Sequence, residues 1–201
     1  DGRVLARIEN PGKLGKLGWS PDGAQVALIC AGDVHDPAAG RLALAPASGG
    51  VPVELAPGFE GDAVDFAWQS ASALLVVTHV GIASRLEKFE LANGRAQPAR
   101  TLVDVGGPLL TSVSLARDGQ SAVFVASSAA FPPELFHMRH GESAPRRLSD
   151  SNPELARRAF ARQEVVAYAA RDGLRLEGVL LHPLQRVEGQ RVPLILNVHG
   201  R

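Results

Sequence analysis

A tight turn followed by an apolar run occurs three times in this chain at nearly constant spacing. Trp19-Ser-Pro-Asp-Gly23 leads into Val26–Cys30, Trp68-Gln-Ser-Ala-Ser72 into Ala73–Thr78, and Leu115-Ala-Arg-Asp-Gly119 into Ala122–Ala126. The intervals from Trp19 to Trp68 and from Trp68 to Leu115 are 49 and 47 residues. One unit of this size cannot bury its own apolar face, so a chain that repeats in this way must stack its units. The turn chemistry is local: Pro21 presets φ, and Asp22-Gly23 supplies the tight turn with a glycine tolerant of positive φ.

Each unit reads as four short strands. The first are Leu14–Trp19, Ala63–Trp68 and Leu110–Leu115, and the second are the apolar runs after each turn. The third are Arg41–Ala45, Glu87–Leu91 and Glu134–Met138, ending in glycine turns at Ser48-Gly-Gly50, Asn93-Gly94 and His140-Gly141. The fourth are Val51–Leu55, Gln97–Leu102 and Ala144–Leu148. Four antiparallel strands at a period in the forties predict β-propeller blades. A β-sandwich with regular turns is the alternative, and the return of the turn at matched offsets argues against it. Asp1-Gly2 with Val4–Ile8 reads as the last turn and outer strand of a preceding blade. Propellers close with about 4–8 blades, and an open arc leaves unpaired edges, so a longer protein is expected.

The pattern changes after the third unit. Leu148–Pro153 is rich in turn formers, and 154–163 reads as a connecting segment. Glu164–Tyr168 and Leu174–Leu181 flank Arg171-Asp172-Gly173, a hairpin signal. Val192–Val198 is a continuous apolar run, read as a strand buried on both faces, and it leads into His199-Gly200. A buried strand ending in His-Gly at a sheet edge is how an α/β-hydrolase domain begins its oxyanion region. The expected fold is therefore mainly β: a partial β-propeller of about three four-stranded blades over 1–153, a linker over 154–163, and the first strands of an α/β-hydrolase domain over 164–201.

Composition narrows the function. Lys+Arg 21 balances Asp+Glu 21, which gives no electrostatic reason to expect nucleic acid or an anionic membrane as partner. No apolar run has the length of a membrane span. Cys30 is the sole cysteine, so no intrachain disulfide forms; its apolar setting reads as a buried structural thiol. The compartment, cytoplasmic or periplasmic, is left open.

Together these residues resemble the prolyl oligopeptidase family of serine peptidases, nearest its acylaminoacyl and dipeptidyl peptidase branch. The resemblance rests on Trp19–Gly23, Pro133-Glu-Leu-Phe136, Arg147–Asn152, Asp172-Gly173 with Leu176–Pro183, and Val192–Gly200. Arg201 departs from the family's His-Gly-Gly-Pro. The resemblance implies a hydrolase domain with a Ser-Asp-His triad in that chain order, a propeller gating access, an oligopeptide substrate, no cofactor, and a homo-oligomer as one option. The triad is expected after Arg201, because no Gly-x-Ser-x-Gly occurs; Gly141-Glu-Ser-Ala-Pro145 lacks the final glycine and sits in a blade turn. His199 and Gly200 would belong to the oxyanion-side loop, with His199 structural rather than a general base. The chain alone is expected to be inactive. Two alternatives remain: a non-catalytic propeller that binds proteins, as in periplasmic translocation-associated propellers, and a hydrolase acting on esters.

Metal sites find little support. His137 and His140 are three apart, so on a strand they point to opposite faces. His35 and Asp36 read as a solvated loop, and the same holds for Glu60, Asp62 and Asp65.

Overall fold

The computed structural model describes residues 1–10, 12–35, 38–92, 95–185 and 189–198. Its contacts divide the chain into two units, Asp1–Ser151 and Asn152–Arg201.

The first unit is three antiparallel meanders. The first sheet runs β1 (Leu14–Trp19), β2 (Gln25–Ala31), β3 (Gly40–Pro46) and β4 (Val53–Glu54), each strand beside the next. The second has β5 (Asp62–Ser70), β6 (Ala73–Val80) and β7 (Ala83–Ala92); its fourth place is split between β8 (Arg95–Ala96) and β9 (Arg100–Val103), both paired to β7. The third runs β10 (Leu109–Leu115), β11 (Ser121–Ser128), β12 (Phe131–Arg139) and β13 (Arg146–Arg147). These are the expected propeller-like sheets. The glycine turns after the first strands of the first and third sheets share their chemistry: Gly23 N donates to Ser20 O and Gly119 N to Ala116 O, both at 2.9 Å, with φ of 69° and 67°. A side chain would be strained there, which is why the turn carries glycine. The turn expected at Asn93-Gly94 lies outside the described residues.

Period-two alternation then determines what each strand buries. In β6, Leu74 and Val76 pack with Ala27, Ile29, Leu42 and Leu44 of the first sheet. The intervening Leu75 and Val77 pack with Leu110, Phe124 and Phe136 of the third. The middle sheet is thus buried on both faces. Leu28 and Cys30, on the outer face of the first sheet, are covered by Ile8.

Two expectations fail in the first unit. Val4–Ile8 forms no strand: Ile8 makes a single parallel bridge to Gly50, and Val4 and Leu5 are exposed. An apolar stretch becomes a strand only where a free edge meets it, and here the contact is one bridge long. In the middle sheet the third strand starts earlier than its apolar pattern suggests. Trp19, Trp68 and Leu115 pair with Val26, Leu74 and Ala122. Four residues further along, Cys30, Thr78 and Ala126 pair with Arg41, Arg85 and Glu134. Arg85, not Glu87, is therefore the ladder equivalent of Arg41 and Glu134.

The second unit holds a 3₁₀ turn at Pro153–Arg157 and a hairpin of β14 (Gln163–Ala169) and β15 (Arg175–Leu181). The hairpin is where the sequence predicts it, with Gly173 at φ 88° in the turn. The predicted buried strand Val192–Val198 is absent: the segment has no ladder partner among the described residues, and Leu194, Ile195, Leu196 and Val198 are 79%, 90%, 80% and 81% exposed. A strand apolar on both faces needs a neighbour on each side and a layer above and below. Among the described residues none of these is supplied.

Candidate functional site

The polar groups that reach furthest lie on the first strands of the three sheets. Asp65, on β5, is nearly buried, and its carboxylate touches both neighbouring sheets. Oδ1 accepts from Lys16 Nζ of β1 at 2.6 Å and from Phe66 N at 2.9 Å, while Oδ2 accepts from Val113 N of β10 at 2.8 Å. Lys16 also lies over the Phe66 ring, 5.4 Å from its centroid. Trp68 Nε1 donates to Gly18 O and Gln69 Nε2 to Gly119 O, both at 3.1 Å. Asp65 is thus a structural tie on a strand, with its oxygens taken by donors, and not the solvated loop residue that the sequence suggests.

Asp62 resolves in the same way. Asp62 Oδ1 accepts from Gly40 N at 2.6 Å, where the sheets approach so closely that a Cβ on Gly40 would lie 2.5 Å from Ala63 O. Glu60 lies in the connection before β5. Asp36 lies outside the described residues; His35 N donates to Asp33 Oδ1 at 2.7 Å in an exposed loop. His137 is half-buried on β12, while His140 is exposed in the next turn. Among the described residues no group of three or more His, Cys, Asp or Glu is arranged to hold a metal.

Nucleophile chemistry is equally constrained. Cys30 is buried, with Sγ 3.7 Å from Arg41 O; burial first and the nearby Glu54 second push its thiol above the ordinary range, which disfavours the reactive thiolate. Ser143 sits in an exposed turn beside Glu142, whose Oε2 accepts from Arg139 N at 2.7 Å. Glu87, on β7, is buried against a small hollow between the first and second sheets. Desolvation raises its carboxyl, and the Thr78 hydroxyl at 3.4 Å offsets this only in part. His199, Gly200 and Arg201, the residues expected at the oxyanion-side loop and just past it, lie outside the described residues.

One hollow of about 270 Å³ opens between the second and third sheets. Leu75, Leu102 and Met138 line it together with Lys88, Arg100 and His140. Ser121 and Ser143 also line it, but among the described residues no hydrogen bond joins either hydroxyl to His140. Sequence reasoning missed the Asp65 tie. Its signal was present, since Lys16 and Val113 stand 49 and 48 residues from Asp65, close to one repeat on either side.

No protein-family model matches the chain, and no curated protein matches it. Solved structures do. An AtxE2 isopeptidase variant with Astexin3-dC4 bound aligns at TM-score 0.60 with 18% identity, over 85% of this chain and 26% of that one. A puromycin hydrolase mutant complexed with PGG aligns at TM-score 0.58 with 17% identity, over 83% and 25%. A TolB structure from Agrobacterium tumefaciens aligns at TM-score 0.53 with 16% identity, over 71% and 50%. The chain spans between a quarter and a half of the length of these structures. The likeness establishes the propeller-like fold. No helix among the described residues is long and apolar enough to cross a membrane.

Proposed function

We propose that this chain is the junction between the propeller and the catalytic domain of a serine peptidase of the prolyl oligopeptidase family. The change of architecture after the third sheet carries this reading. A plain propeller would continue with another four-stranded meander. Here the chain passes at Asn152 into a separate unit whose only sheet among the described residues is a two-stranded hairpin. Val192–Val198 is not part of any blade among the described residues. The fold likeness to an isopeptidase and a puromycin hydrolase supports the same class of reaction, hydrolysis of peptide-like bonds.

On this reading the domains are 1–153, 154–163 and 164–201. The propeller admits short oligopeptides, and His199 and Gly200 lie beside the oxyanion hole, where N–H donors face the charge that develops on the attacked carbonyl. The serine, aspartate and histidine are supplied by sequence after Arg201, and the described residues contribute no reacting group. The test is labelling with a fluorophosphonate, which is captured by an activated serine. The native gene product containing this chain should be labelled at one serine after position 201, and the chain of residues 1–201 should not be labelled. Absence of label in the gene product would overturn the reading.

The TolB likeness favours a second reading, a non-catalytic propeller that binds a protein partner. It predicts a stoichiometric complex and no hydrolysis of an aminoacyl-arylamide by the gene product. Hydrolysis of simple esters in preference to acyl-peptides would instead place the substrate in the ester class.

A further inference from the structure

One ladder position serves the same purpose in all three sheets. Arg41, Arg85 and Glu134 occupy equivalent places on β3, β7 and β12. Each reaches the segment that leaves its own sheet. The Arg41 guanidinium donates to Phe59 O, in the connection from the first sheet to the second. Arg85 Nε donates to Asp104 Oδ1 at 2.9 Å, directly after β9. In the third sheet the position holds an acid instead, and the exit supplies the donors. Glu134 Oε1 accepts from Ser151 N at 2.7 Å and lies 3.2 Å from an Arg147 guanidinium nitrogen. Its Oε2 accepts from the hydroxyls of Ser149 and Ser151.

The three sites differ in burial. The Arg41 and Arg85 side chains are 30% and 33% exposed, and that of Glu134 is 0% exposed. A buried carboxylate holds its geometry because any donor that leaves it strands a charge. Ordinary pairing is scant here. β13 contributes two ladder pairs, and Leu148 N donates to Leu135 O at 2.7 Å. From Ser149 to Ser151 the chain is held by side chains: the Glu134 contacts, Leu135 N to Ser149 Oγ at 2.9 Å, and Arg147 to Ser149 O and Asp150 Oδ1 at 2.8 and 2.7 Å. Arg147 is itself fixed over the Phe131 ring, 4.5 Å from its centroid.

We propose that Glu134 is a positioning residue, a latch that fixes the path of the chain as it leaves the third sheet and so the point from which the next unit is tethered. The importance of this for a catalytic unit rests on the peptidase reading. The latch itself does not, and its test measures no turnover, so either idea can fail alone. Hydrogen bonds from the exit, that of Ser149 foremost, hold the Glu134 carboxyl below its ordinary range, as a latch kept ionised requires.

The experiment uses residues 1–201 with Cys30→Ala, and spin labels at Arg117→Cys and Asp150→Cys, two exposed positions of the first unit, the second of them on the exit that the latch holds. The parent chain should give a narrow distance distribution. Glu134→Leu should broaden it and raise Ser151 amide exchange roughly tenfold or more, while Phe124 and Ala126 on β11 exchange as before. Should Glu134→Leu fail to fold, Glu134→Gln paired with Ser151→Ala gives the same readout. A distribution already broad in the parent, one unchanged in folded variants, or an equal rise in exchange across β11 would overturn the proposal.

Discussion

In β6 every side chain from Ala73 to Thr78 is buried, whereas in β14 and β15 none is. Both regions are regular antiparallel pairs, and the hairpin of the second unit keeps an unbroken register from Gln163↔Leu181 to Ala169↔Arg175. The difference lies in the third dimension. β6 has a sheet on each face, so both sets of alternating side chains leave water. The hairpin exposes Val165, Tyr168, Val179 and Leu181 at 55%, 53%, 45% and 59%. Turn chemistry and ladder hydrogen bonds make a strand. A facing layer makes a core, and at about 25 cal/mol per Å² of apolar surface removed from water that layer carries most of the stability.

The sharpest way to break this contrast is to remove a side chain from the doubly covered region. Phe124 is 0% exposed, and Phe124→Ala should cost about 3–5 kcal/mol in denaturant unfolding of the first unit. A loss as small as that of a surface substitution would mean that the seam is not close-packed.

Next comes Asp65→Ala, which strands the buried Val113 amide and returns the half-exposed Lys16 ammonium to water; a cost of about 1–3 kcal/mol is expected, with faster amide exchange in both β1 and β10. Exchange that quickened in only one of those strands would show that Asp65 ties a single seam. Gly40→Ala belongs in the same range, about 1–3 kcal/mol, because a backbone oxygen blocks the added carbon.

A gain is expected at Glu87. Burial raises its carboxyl above the ordinary 4.5. A raised acid favours the fold fully below that value, and the benefit is lost as pH rises through the folded-state value. Glu87→Gln should match the parent near about pH 4 and be the more stable protein at about pH 8, read as thermal midpoints across pH. Equal midpoints at both values would show that the group remains hydrated.

The smallest effect is reserved for the hairpin. Tyr168→Ser should change stability by less than about 0.5 kcal/mol and lower the binding of a hydrophobic dye. A larger loss would reveal a layer over the hairpin.

The turn at Trp19–Gly23 and its echoes at Trp68 and Leu115 made the three sheets legible, because turn chemistry is local and written in residue types. The Asp172-Gly173 hairpin was legible for the same reason. The third strand of the middle sheet was misplaced by two residues. Its apolar pattern peaks at Phe89 and Leu91, while the ladder begins at Ala83, and register depends on the partner strand. Val4–Ile8 and Val192–Val198 were misread for a related reason. An apolar run states a preference for burial and is silent on what provides it. At the candidate site, the absence of a complete nucleophile motif was plain from sequence. The Asp65 tie left only its spacing of about one repeat from Lys16 and Val113, and the Glu134 latch left no such mark, since each joins residues that the folding of the sheets brings together.

Because one carboxylate grips strands on either side of it, the sheets are not interchangeable modules. Deleting the middle repeat would leave Lys16 without its counter-charge and the Val113 amide without an acceptor in the same stroke. A lineage that gained or lost blades here by duplication would have had to carry an acid at this spacing through every intermediate, or to replace it within the same generation of change.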